Sequence, residues 1–193
     1  MLSLIIACST APETASVVDA CPSYSGLGAP GSWRRWEQDD GSRMETMVSA
    51  RHMNRLGFED LLVDTVLETD DARIDLHVVA RCDEQGMHHL GAEVTTSSDG
   101  EVVLNDVALG ELVLPHDVGL GDELPDGGLV VGSGTQPAGD LLVDALEVHY
   151  EQTGAACSDT TVWLNSELGM VRSEGDPDCD GETDVTELVR FGD

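Results

Sequence analysis

The sequence predicts an all-β protein, a single antiparallel meander curled into a barrel or half-barrel and braced by disulfides. Three observations carry this. Apolar and polar residues alternate with period two in segment after segment. Turn chemistry (D-D-G, S-S-D-G, P-D-G-G, E-G-D-P) recurs about every 10 to 14 residues. The chain holds 21 glycines and almost no stretch of helical periodicity. Curling is expected because it limits exposed sheet edges.

Along the chain, residues 9–20 ("STAPETASVVDA") are rich in Ser, Thr, Ala and Pro and read as a tether. The folded part is expected from Cys21. "GLGAPG" at 26–31 matches G-x-G-x-x-G by letter, but no strand precedes it and Pro30 stands where a phosphate-binding helix would begin, so it is a loop. "FEDLLVDTVLETDD" (58–71) suits helix or strand and is assigned to a strand. "ARIDLHVVARC" places Ile74, Leu76, Val78, Ala80 and Cys82 on one face, with Arg73, Asp75, His77 and Arg81 largely on the other. "DEQG" then turns the chain into "MHHLGAEVTT", a hairpin. "DALEVHYEQ" sets Leu146, Val148 and Tyr150 against Glu147, His149 and Glu151, and "TTVWLN" continues the pattern. At 193 residues and 40% apolar composition, one domain over 21–193 is the expectation.

Charge excludes several functions. The chain carries 38 acidic residues against nine basic ones, every one of them arginine, for a net charge of -29. Such a field repels phosphate backbones and anionic lipid headgroups, which argues against nucleic acid as a partner and against a polybasic membrane contact. It suits an acidic surface that stays soluble in a salty medium.

The first residues, "MLSLIIACST", run Leu4, Ile5, Ile6 and Ala7 into Cys8. This resembles the lipobox of bacterial lipoproteins, in which an apolar run and a small residue precede a cysteine that is acylated and becomes the mature N-terminus. The resemblance implies a remnant signal peptide over 1–7, lipidation of Cys8, a tether over 8–20, and a membrane held through the lipid. The apolar run is shorter than in a full secretory signal and lacks a basic n-region. Acyl chains contribute about 0.8 kcal/mol per buried methylene.

Export agrees with the other four cysteines, Cys21, Cys82, Cys157 and Cys179, an even number that suits two disulfides. Cys157 and Cys179 flank the last expected hairpin and are expected to pair, which leaves Cys21 with Cys82. No C-x-x-C spacing supports a cysteine metal site.

"CPSYSGLGAPGSWRRW", "RCDEQGMHHLG", "LPHDVGLGDEL", "VWLNSELGMVRSEG" and "TELVRF" together are similar to a group of uncharacterised bacterial lipoproteins that carry G-x-x-W near the start, a glycine hairpin midway, and W-x-x-x-x-x-G-x-V followed by E-L-x-x-Tyr. Arg35 and Leu124 stand where that group usually has aromatic residues. The resemblance implies an envelope β domain without an assigned catalytic centre.

Near the C-terminus, Asp176, Asp178, Asp180, Gly181, Glu182, Asp184 and Glu187 supply every oxygen ligand and the glycine of an EF-hand calcium loop. The flanking segments have strand spacing instead of helices, so the loop reads first as a solvated turn, with Ca2+ as the alternative and the one candidate cofactor. Glu187 decides between them: a strand beginning at Val185 would carry it away from the aspartates. Among the histidines, His88 and His89 point to opposite strand faces, and His77 could meet one of them across the hairpin. These three otherwise read as solvent-facing polar positions of the sheet, while His52, His116 and His149 stand isolated in sequence and carry no signal.

No nucleophile signature of the G-x-S-x-G kind occurs, and the carboxylates are too many for one pair to stand out. The sequence therefore predicts a non-catalytic binding or scaffold protein of the bacterial cell envelope, anchored in the outer membrane and facing the periplasm or the exterior. Its partner would be an envelope protein or an apolar ligand. The alternatives are a carrier of lipid or lipoprotein with an apolar cavity and, second, a metal-dependent hydrolase.

Overall fold

The computed structural model describes residues 21–53, 59–69, 72–95, 111–151, 159–176 and 181–192. These form eleven strands: β1 (Trp33–Gln38), β2 (Arg43–Met53), β3 (Glu59–Glu68), β4 (Arg73–Asp83), β5 (Gly86–Thr95), β6 (Glu111–Pro115), β7 (Leu129–Ala138), β8 (Leu141–Tyr150), β9 (Thr160–Asn165), β10 (Gly169–Gly175) and β11 (Asp184–Gly192). Among the described residues there is no helix. The expected strand over 58–71 is β3, and the "DEQG" hairpin joins β4 to β5 with Asp83 opposite Gly86.

All eleven strands lie in one antiparallel sheet, ordered β6-β5-β4-β3-β2-β1-β11-β10-β9-β8-β7. Two meanders, β1–β6 and β7–β11, are thus joined back to back where the last strand pairs with the first. Six of the ten strand pairings carry a bulge, as at Arg35/Trp36 and Met170/Arg172. An extra residue on one strand bends it and raises its twist, so repeated bulges curl the sheet. The described strands do not close into a barrel by hydrogen bonding, because β6 and β7 remain edges. The edges nevertheless meet through side chains: Leu114 of β6 packs in one cluster with Leu124, Val130 of β7 and Val148 of β8. The form is the half-barrel of the two expected.

The inside of the curl is apolar. Trp36, Ala138, Ala145, Val171 and Leu188 form the cluster at the junction of the two meanders. The Trp36 indole donates to Met170 O (2.9 Å), and Gly139 at the β7–β8 turn donates to Leu188 O (2.8 Å), so the hairpin tip folds onto β11. The other face is ionic. Arg35 pairs with Glu45 (2.8 Å), Arg73 with Glu68 (2.7 Å) and Arg172 with Glu187 (2.5 Å) and Glu174. Period-two alternation accounts for this division, as the sequence of "TTVWLN" and "DALEVHYEQ" predicts.

One stretch departs from the alternation. Ala80, Arg81 and Cys82 are all buried, whereas Ile74, expected inside, is 42% exposed. At the turn end of β4 both sheet faces are covered, so the polar-face residue Arg81 is enclosed as well. At the other end of the strand neither face is.

Candidate functional site

A strap of residues 21–32 spans the two meanders on the open side of the sheet. Cys21 is disulfide-bonded to Cys82 of β4, with Cα atoms 4.8 Å apart. The Tyr24 amide donates to Ser166 O (3.0 Å) in the β9–β10 turn, and Arg34 Nε donates to Leu168 O (2.9 Å). Gly26 and Gly169 make the crossing possible. A Cβ on Gly26 would lie 2.7 Å from Leu168 O, one on Gly169 would lie 2.8 Å from Gly26 Cα, and both residues have positive φ (65° and 72°). Tyr24, with φ 72°, adopts the left-handed region without being glycine, at a cost of about 1 kcal/mol or more.

Between the strap, residues 116–122 and the β9–β10 turn lies a cleft of about 420 Å³, lined by Ser23, Tyr24, His116, Asp117, Asp122 and Ser166 among others. Its wall leads into a line of polar groups along β3–β5. His116 Nε2 lies 2.6 Å from Asp83 O, and Asp83 Oδ1 accepts from the Gln85 amide (2.8 Å) and lies 3.1 Å from His88 Nε2. His88 stands opposite Arg81, whose Nε and Nη2 donate to Asp60 Oδ1 (2.7 Å) and Oδ2 (3.1 Å). Asp60, Arg81 and His88 are 5%, 3% and 4% exposed. A charge that deep is tolerated only with a partner, and the two-pronged contact supplies one.

Burial works against the charged form of Asp83, but the Gln85 amide, the His88 ring and the Gly86 amide outweigh it and hold the carboxyl below its ordinary value. Burial, and then the nearby Asp126 carboxylate, push the Tyr150 hydroxyl up; it donates to Asp126 Oδ2 (3.1 Å). One aromatic ring, an imidazole, carboxylates and hydroxyls in an open cleft can hold a polar ligand through hydrogen bonds.

The residues singled out by sequence are distributed as follows. Cys21 and Cys82 pair as expected, while Cys8, Cys157 and Cys179 lie outside the described residues. Of the acidic loop, Asp178 and Asp180 also lie outside them. Asp176 Oδ2 accepts from the Gly181 amide (3.0 Å), and Glu182 is exposed. Asp184 opens β11, three residues ahead of Glu187, whose carboxylate is held by Arg172 (2.5 Å). Among the described residues no group of three or more His, Cys, Asp or Glu side chains is placed to hold a metal.

His77 does not meet His88 or His89 across the hairpin. The tight turn at Glu84–Gln85 sets the register, which puts His77 opposite Glu93 and His88 opposite Arg81. His77 instead lies 2.6 Å from Asp64, and His149 lies 3.6 Å from Asp159. His88, expected at the solvent, is buried. The Asp60–Arg81 pair and the strap cleft had no signal in the sequence beyond an Arg and an Asp on strands.

No protein-family model matches the chain, and no curated protein matches it in sequence. Solved structures do resemble it. A Bacteroides fragilis protein assigned as exported and described as having a YmcC-like fold aligns with TM-score 0.54 and 10% identity, over 90% of this chain and 98% of that one. A Parabacteroides distasonis protein assigned as a lipoprotein aligns with TM-score 0.45 and 10% identity, over 89% and 99%. At that identity the first likeness is one of fold.

Proposed function

We propose that this chain is a non-catalytic binding or scaffold protein of the bacterial cell envelope, held to the outer membrane by acylation of Cys8. The observation that carries the reading is the Cys21–Cys82 disulfide, which closes 61 residues of sequence. Such bonds persist in oxidising compartments and are rare in the cytosol. The apolar run "LSLIIA" before Cys8 supports the anchor. The exported assignment of the B. fragilis protein of similar fold agrees with it.

Binding in place of carriage is supported by the character of the clefts. Two clefts framed by described residues are lined largely by polar side chains, whereas a lipid carrier needs an aliphatic wall. Within the half-barrel, Trp36, Val171 and Leu188 pack against one another.

The test is mass spectrometry of the native N-terminus together with fractionation. The expected result is an acylated Cys8 as first residue and protein in the membrane pellet, with Cys8→Ser released to the soluble fraction. An unmodified thiol in protein recovered from the cytosol would overturn the reading.

A further inference from the structure

Only nine residues of this chain are basic, and three of them converge. The register sets Arg43 between Glu37 on β1 and Glu68 on β3, with Arg73 beyond Glu68 on β4. Two residues further along the same face run Arg35, Glu45, Val66 and Asp75. Arg35, Arg43, Glu45, Val66, Glu68 and Arg73 line one cleft of about 200 Å³ on the ionic face, away from the strap.

Two of the three arginines are committed. Arg35 is held by Glu45, and Arg73 by Glu68 and Asp75. Arg43 is exposed and makes no ion pair or hydrogen bond among the described residues. Its planar fork of donors matches a phosphate in two-pronged fashion and is weakly hydrated, so little is lost when water leaves it.

A simple anion is not what this cleft selects. Four carboxylates, Glu37, Glu45, Glu68 and Asp75, surround the three arginines on this face, so the patch carries an excess of negative charge and disfavours a bare phosphate, as does the field of a chain at -29. The same carboxylates attract an ammonium. A group that carries phosphate and ammonium a few bonds apart satisfies both signs. Salt screens the distant charges beyond about 8 Å, so these neighbours decide.

We infer that the cleft binds a phosphoethanolamine group, its phosphate on the guanidinium of Arg43 and its ammonium against Glu45 and Glu68. This deepens the binding-protein reading but is independent of the anchor, because the soluble ligand reports on the cleft whether or not Cys8 is acylated.

The full chain carrying Cys8→Ser, so that no acyl chain inserts, is titrated by NMR and calorimetry with O-phosphoethanolamine, with inorganic phosphate, and with ethanolamine, and is then floated with phosphatidylethanolamine vesicles and with phosphatidylglycerol vesicles. The expected result is at least ten-fold tighter binding of O-phosphoethanolamine than of either half. Arg43→Ala should lose ten-fold or more at unchanged melting temperature, and Arg43→Lys, which keeps the charge but not the fork, should lose part of that. Retention on phosphatidylethanolamine vesicles alone identifies the source as a lipid headgroup. Binding of the soluble compound without vesicle retention identifies it as a free or polymer-borne group. Equal binding of inorganic phosphate, no binding of O-phosphoethanolamine, or an Arg43→Ala variant that binds as well as the parent overturns the proposal.

Discussion

The two meanders are held together by different means. In β1–β6 the apolar cluster enclosed among the described residues is small, Val48, Leu61 and Val63, and it is supplemented by the Cys21–Cys82 bond and the buried Asp60–Arg81 pair. In β7–β11 the described core is larger and apolar: Ala138, Ala145, Val171 and Leu188 close on Trp36 of β1, and Val130 and Val148 close on Leu114 and Leu124. Where a β segment is covered on both faces, its polar face must be satisfied internally, and the chain does so with an ion pair. Where one face stays wet, carboxylates and arginines remain outside and aliphatic packing suffices.

Reduction of the disulfide should have the largest effect. Opening a bond across 61 residues restores chain entropy worth roughly 4 kcal/mol to the unfolded state. Denaturant unfolding with and without reductant measures it, and hydrogen exchange should show protection lost first in β3–β5. Uniform loss across all strands would show that the meanders are one cooperative unit.

Leu188→Ala should strike the other half. Leu188 is 1% exposed, and removing its methyl groups should cost about 3 kcal/mol through lost burial and the cavity left behind. The midpoint of chemical unfolding gives the size, and exchange should now rise first in β10 and β11. A loss below about 1 kcal/mol would mean that this core repacks and that the contrast between the halves is weaker than the contacts suggest.

The smallest effect concerns pH. Because the folded-state pKa of Asp83 is held below its ordinary value of 3.8, its contribution is fully present above that value and is lost as pH falls through the lower native one. Asp83→Asn should therefore flatten the acid limb of the stability curve below about pH 4 and leave the limb above pH 6 unchanged. Melting temperature followed from pH 2 to 7 measures this. An identical acid limb in the variant would place the acid sensitivity elsewhere among the carboxylates.

Much of the fold was legible. "ARIDLHVVARC", "DEQG" and "MHHLGAEVTT" announce β4, its turn and β5, because alternation and turn residues are local signals. The pairing of Cys21 with Cys82 followed from where the remaining cysteines sit relative to the last hairpin. The candidate sites were far less legible. Arg43 and Arg73 are 30 positions apart by number and meet only because β2, β3 and β4 take one register. The strap cleft depends on Gly26 reaching Gly169, a contact that no period reports.

By itself the sequence determined that the chain forms strands, which side chains share a face of each, and where hairpins turn, since all of these rest on neighbours a few residues apart. Tertiary structure alone decided that β11 returns to β1, that the sheet curls without closing, and that Arg81 is enclosed while Ile74 is not. The reason is that pairing between distant strands and the covering of a second face are set by the summed burial and hydrogen bonding of the whole sheet against loop-closure entropy, quantities to which no single stretch holds the key.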